Sequence, residues 1–210
     1  MQNIFISFLL FFSCCISQTK QNNDCYFPVN TFLTEQTYCF VNLNDPAEKS
    51  YWKMQTTVSN TDTLLNTAIY DTQNRLTELM TEKIAKGNSN IISYTLYDYD
   101  RDGKKFTSDC QVEDSFVFKS TQKSGENIQW KIHYKDAASG NTCELSKVRT
   151  LTATAPGQQT FSDRMKFSVM GTTQGYEYSM ISIYKKNKGL VSYTLTLPDG
   201  KIKNFVIKNN

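Results

Sequence analysis

The chain has 210 residues, with 23 basic and 20 acidic side chains and a formal net charge of +3. That length suits one domain or two small ones, and so even a charge balance gives no footprint for nucleic acid or a strongly anionic partner. Hydrophobic residues make up 39% and aromatics 13%, with 12 Tyr and 13 Phe, a composition that suits pleated surfaces more than helices.

The N-terminus reads as a targeting segment. "IFISFLLFFSCCIS" is an apolar run too short to span a membrane as a mature helix. Cys15 and Ser17 are small residues at −3 and −1 of a cut before Gln18. The expected division is a signal peptide over 1–17, a loose polar stretch over 18–24 and a single β-rich domain over 25–210. "FFSC" also resembles a lipobox, which makes lipid anchoring at Cys14 an alternative. No later stretch is long and apolar enough for a transmembrane helix. The expected location is periplasmic, outer-membrane associated or secreted. Removing the leader leaves Cys25, Cys39, Cys110 and Cys143 as disulfide candidates with three pairings open. The short-range choice joins Cys25 to Cys39 and Cys110 to Cys143. With no CxxC, and His133 the sole histidine, a zinc site is not expected.

From residue 25 onward the pattern is short strands and turns. "FLTEQTYCFVNL" alternates in part and stops at Asn44-Asp45-Pro46, and "YWKMQTTVS" follows. Residues 62–86 are ambiguous. The apolar spacing in "TLLNTAIYDTQNRLTELMTEKIAKG" is helical, with Gly87 as a cap. "NTAIYD" and "RLTELMTEKI" also read as a hairpin turning at Thr72-Gln73-Asn74, where Asn accepts a positive φ.

"NIISYTLYDY", "SDCQVEDSFVFKS" and "IQWKIHYKD" alternate as strands. In the last, Ile128, Trp130, Ile132 and Tyr134 share one face against Gln129, Lys131 and His133. "NTCELSKVRTLTATAPG" ends at Pro156-Gly157, and "VSYTLTL" and "KIKNFVI" flank the hairpin turn Pro198-Asp199-Gly200. Many strands, few helices and recurring acidic turns predict an antiparallel β fold with a sandwich, curved-sheet or barrel core.

"YDYDRDGKKFTSD" approaches the EF-hand spacing, with Asp98, Asp100 and Asp102 alternating before Gly103. An EF-hand needs flanking helices, and these flanks alternate as strands. Lys104 and Lys105 also oppose a dication. The expectation is a hairpin tip with Asp102-Gly103 at the bend, and weak calcium binding is the alternative.

In segment order the chain resembles the TapB-like family of small exported bacterial proteins. The similar parts are "DCYFP", "YDTQNRLTELMTEKI", "IISYTLYDYDRDGKKFTSDCQVEDSFVF", "TLTATAPGQQTF" and "YKKNKGLVSYTLTLPDGKIKNFVI". The resemblance implies a mainly β protein, an antiparallel, strongly curved sheet or open barrel built from hairpins with few helices. It tips residues 66–84 towards the hairpin and carries no catalytic residues.

A Ser-His-Asp site would have to use His133, on the polar side of its strand, and there is no GxSxG elbow. The better reading is a non-enzymatic exported domain of the cell envelope, with no cofactor, whose partner is a hydrophobic small molecule or an envelope protein. A curved aromatic sheet offers an apolar concave face. The candidate ligand-binding residues are Tyr94, Phe116, Trp130, Tyr178 and Tyr193.

Overall fold

The structure is a computed structural model that describes residues 29–84, 90–99, 102–105, 111–112, 116–119, 121–136 and 139–208. The expected signal peptide over 1–17, residues 18–24, Cys25, Asp100 and Cys110 lie outside the described residues, as does Cys14, and so do the side chains of Tyr94 and Asp98.

The described residues form a short 3-10 turn, Val29–Leu33, and thirteen strands. The first five are β1 Gln36–Asn42, β2 Lys49–Val58, β3 Thr63–Tyr70, β4 Leu76–Ile84 and β5 Ile91–Asp98. Two very short strands follow, β6 Gln111–Val112 and β7 Phe116–Phe118. Then come β8 Asn127–Lys135, β9 Thr142–Ala155, β10 Gln158–Val169, β11 Gly175–Lys185, β12 Gly189–Thr196 and β13 Ile202–Ile207. They make one sheet in the order β6-β8-β9-β10-β11-β12-β13-β1-β2-β3-β4-β5-β7. Every neighbouring pair is antiparallel, and the mainly β, hairpin-built class expected from the sequence is what the chain adopts.

Local chemistry explains the hairpins. Of the ambiguous stretch 62–86, the described part, 62–84, is a hairpin and not a helix, because β3 and β4 pair from Leu64↔Lys83 to Tyr70↔Leu76. The bend is set by Asn74 at φ 60°, and the Asn74 amide donates to the Asp71 carbonyl at 2.9 Å. Gly157 (φ 73°) does the same between β9 and β10, and Gly200 (φ 81°) between β12 and β13, an angle that costs glycine little. In β8, Ile128 and Ile132 are buried while Gln129, Lys131 and His133 are exposed, as the alternation requires.

The Asp-rich turn behaves differently from a simple hairpin. Gly103 has φ 75° and Tyr99 bridges Lys105 antiparallel. The Lys105 ammonium lies 4.0 Å from the centroid of the Tyr97 ring. Beyond it, however, "SDCQVEDSFVFKS" is not one strand. β6 pairs with β8 and β7 pairs with β5, at opposite ends of the sheet. Only residues 113–115 separate them. Four residue steps of extended chain span about 14 Å at most, so the sheet must curl until its two ends nearly meet. They meet through side chains: Leu96 of β5 and Ile132 of β8 share a buried cluster. Among the described residues no ladder joins the two ends, and the sheet runs from β6 to β7 as an open order.

The inner face holds the core. Ile91, Phe118, Leu151, Phe161 and Tyr184 pack together near one end. Phe40, Tyr193 and Phe205 form a second cluster with Trp52 against it. Burying each such side chain contributes roughly 1.5–3 kcal/mol.

Candidate functional site

The curled sheet encloses a cavity of about 810 Å³. That lies within the roughly 300–1,000 Å³ of small-molecule sites. Its walls come from the inward phase of most strands. Phe40 and Trp52 stand on one side, Met80, Leu96 and Trp130 on another, and Tyr178, Met180 and Tyr193 between. Phe32 is carried into the wall by the 3-10 turn and meets Tyr38 edge-on at 6.1 Å. Phe40, Trp52 and Tyr193 form an aromatic wall with ring centroids 5.3–5.9 Å apart. Burial raises the Tyr193 hydroxyl well above its ordinary pKa. The Trp130 indole N–H is buried without a hydrogen-bond partner among the described residues.

One part of the wall is charged. Arg149 of β9 and Asp163 of β10 face each other directly across the ladder. Nε and Nη2 of Arg149 donate to the two carboxylate oxygens of Asp163, both at 2.8 Å. The third nitrogen, Nη1, donates to the Val117 carbonyl of β7 at 2.9 Å. Lys147 Nζ lies 3.1 Å from the Asp163 carboxylate. The guanidinium lies 5.2 Å from the Phe161 ring centroid and 5.9 Å from that of Tyr184. Asp163 is 0% exposed. Burial pushes its carboxyl up, but the charges of Arg149 and Lys147 and their hydrogen bonds outweigh burial and pull it down to about 2. Burial acts against the charged Arg149 too, and Asp163 overcomes it, so the Arg149 pKa is raised. Lys147 is pushed below its ordinary value, first by burial and then by the nearby Arg149.

Glu82 of β4 completes this region of the wall. It is 9% exposed and lines the cavity. Burial raises its carboxyl, and Lys147 and Arg149 oppose the rise without cancelling it. Among the described residues its carboxyl makes no hydrogen bond.

Of the five residues expected to bind ligand, Trp130, Tyr178 and Tyr193 stand on the cavity wall. Phe116 is half-buried on β7 and off the wall, where its neighbour Val117 stands instead. The Tyr94 side chain lies outside the described residues. Of the calcium candidates only the Asp102 side chain is described, and it is exposed. Among the described residues no group of three His, Cys, Asp or Glu could hold a metal.

Cys25 and Cys110, one partner of each expected short-range pair, lie outside the described residues; among the described residues Cys39 and Cys143 are free thiols. Cys143 lines the cavity, whereas Cys39 lies between the wall residues Tyr38 and Phe40 and so takes the opposite face. Burial, then the Asp136 carboxylate, raises the Cys143 thiol, which makes it a weak nucleophile. His133 is on the outer face, 3.0 Å from the Glu144 carboxylate, which also meets Lys131 at 3.0 Å.

The charged cluster was missed from sequence, although a signal was present. Cys143, Leu145 and Leu151 share one phase of β9, and Lys147 and Arg149 interrupt it. Two cations on the apolar phase of a strand need a buried anion, and Asp163 shares its phase with Met165 and Phe167 of β10.

Neither a family model nor a curated protein matches the chain, so the TapB-like resemblance rests on the quoted segments. Among solved structures, a protein of Bacteroides fragilis described as a candidate exported protein with a YmcC-like fold is similar to this chain. The superposition covers 82% of this chain and 92% of that one, with a TM-score of 0.52 and 9% identity. At that identity the likeness shows the fold alone. The chain is thus a mainly β domain that shares the fold of a protein described as exported.

Proposed function

We propose that this protein is an exported, non-enzymatic binding domain of the cell envelope that holds a hydrophobic small molecule inside its sheet. The observation that carries this reading is the aromatic and aliphatic cavity of about 810 Å³, large for a chain whose core could have filled it. The leader-like N-terminus, the TapB-like resemblance and the fold shared with a protein described as exported support the placement outside the cytoplasm. The sole histidine sits on the outer face and the cavity thiol is held protonated, which favours binding over catalysis.

The chain has two tryptophans, and both Trp52 and Trp130 line the cavity. Intrinsic fluorescence therefore reports directly on occupancy. Titration with a long-chain amphiphile is expected to shift the emission and saturate at one ligand per chain, with a matching mass increase by native mass spectrometry. Unchanged emission and an unmodified mass at saturating ligand would sink the reading.

A further inference from the structure

We propose that the bound molecule carries a single carboxylate and that Lys147 receives it at the charged part of the cavity wall. This deepens the reading of the cavity as a hydrophobic site and rests on it.

The donors on the wall are not equivalent. Arg149 is committed: Nε and Nη2 are on Asp163 and Nη1 is on the Val117 carbonyl. Lys147 stands two residues away on the same face of β9, opposite Trp130 of β8 and Met165 of β10. An ammonium has three donors. Lys147 directs one to Asp163, and the other two meet no acceptor among the described residues. Lys188, the other lysine on the wall, is exposed, and Lys147 is the enclosed cation with donors to spare, flanked by apolar surface on which an alkyl chain can lie.

Counting charge selects the headgroup. The buried cluster holds two cations, Lys147 and Arg149, and one paired anion, Asp163. Glu82 sits above 90% burial with no hydrogen bond among the described residues, an environment that favours its neutral form. With the Asp163 carboxylate 3.1 Å away to favour the charged form of Lys147, one positive charge is then left over within this cluster. Uncompensated buried charge is costly. A monocarboxylate cancels it, an alkylammonium doubles it, and a phosphate monoester, at about −1.5 to −2, overshoots it. The neutral Glu82 carboxyl can also donate its proton to the incoming carboxylate. The groups that act on Glu82 are Lys147 and Arg149 of β9, with Asp163 and the Tyr184 hydroxyl beside them, and Glu78 shares its strand and face.

The test compares hexadecanoate, hexadecanol and hexadecylamine on the full chain by tryptophan fluorescence and calorimetry. Hexadecanoate is expected to bind about 10–100-fold tighter than hexadecanol, the worth of a hydrogen bond to a charged group. Lys147→Met is expected to remove that preference, and Lys147→Arg to keep it. Glu82→Gln, which keeps a neutral hydrogen-bond donor at that position, is expected to leave the preference for hexadecanoate in place. The melting temperature and the hexadecanol affinity of each variant show whether the fold survives. If Lys147→Met does not fold, the arginine and glutamine variants decide alone. Equal binding of acid and alcohol overturns the headgroup assignment and leaves the cavity reading standing. So does preference for the amine, or loss of hexadecanoate binding in Glu82→Gln. Failure of all three amphiphiles to bind removes both readings.

Discussion

The first and last strands of the chain meet at one place and the two ends of the sheet at another, and the meetings are made in different ways. At one, the first and last strands pair by their backbones, with Phe40↔Ile207, Val41↔Val206 and Asn42↔Phe205 in register. Side chains reinforce that ladder. The Asn204 amide donates to Asn42 Oδ1 at 3.2 Å, and Asn204 Nδ2 donates to Asn44 Oδ1 at 3.0 Å. At the other, between β5/β7 and β8/β9, side chains do the joining: the Leu96–Ile132 contact and the Arg149 bond to the Val117 carbonyl. A ladder spreads its cohesion over many equivalent bonds. The seam combines apolar packing, of Leu96 on Ile132 and of Ile91 and Phe118 with Leu151 and Phe161, with one guanidinium that also belongs to the charged wall of the cavity. The seam brings charge to the cavity wall, and the junction brings the aromatic rings of Phe40 and Tyr193.

Breaking Arg149 is expected to have the largest effect. Arg149→Met leaves Asp163 buried with Lys147 as its remaining partner and releases β7. The expected loss is about 3–5 kcal/mol in chemical denaturation. A loss below about 1 kcal/mol would mean that the seam is held by apolar contact alone. At the junction, Phe40→Ala is expected to cost about 3 kcal/mol by opening a void between Trp52, Tyr193 and Phe205. It should leave the seam intact, so its cost and that of Arg149→Met should add.

Acid titration sharpens the contrast. Asp163 is held at about 2 in the folded chain against an ordinary 3.8. Its stabilisation is complete above pH about 4 and is lost as the pH falls towards 2, roughly 2 kcal/mol in all. Glu82 acts in the opposite direction. Its raised folded value means that stability is lost as pH climbs from its ordinary 4.5 through that value. Denaturation midpoints between pH 2 and 8 should show both slopes, and Glu82→Gln should flatten the upper one. The smallest effect belongs to the half-exposed Lys203–Glu48 pair at the junction. Lys203→Met is expected to change stability by about 0–1 kcal/mol, and a larger loss would show that the junction also depends on charge.

Much of the architecture was readable because turns and alternation are local. Asn74, Gly157 and Gly200 mark their bends in the sequence and take the positive φ that those bends need. The inward phase of β8 was readable from Ile128, Trp130, Ile132 and Tyr134. The 62–86 hairpin was not decidable locally, since Leu65, Ile69, Leu76 and Leu79 fit either period. Pairing of β3 with β2 as well as β4 settles it. The division of 111–118 was illegible for a related reason: its alternation is continuous, and only the meeting of the sheet's two ends makes it change partner. At the site, aromatic residues were read as wall or filler without distinction. The Arg149–Asp163 pair needed the β9–β10 register, which no single strand contains.

The junction of the first and last strands carries a consequence for the order of events in making the protein. β1 keeps one bare edge until Ile202–Ile207 has been synthesised, because those residues supply its second neighbour. A chain ending at Lys201 would leave β1 and β12 both open to pairing with other molecules. The protein therefore cannot finish folding piecemeal as it emerges. Until those residues are present the β1 edge stays open and the sheet is one neighbour short of its final order.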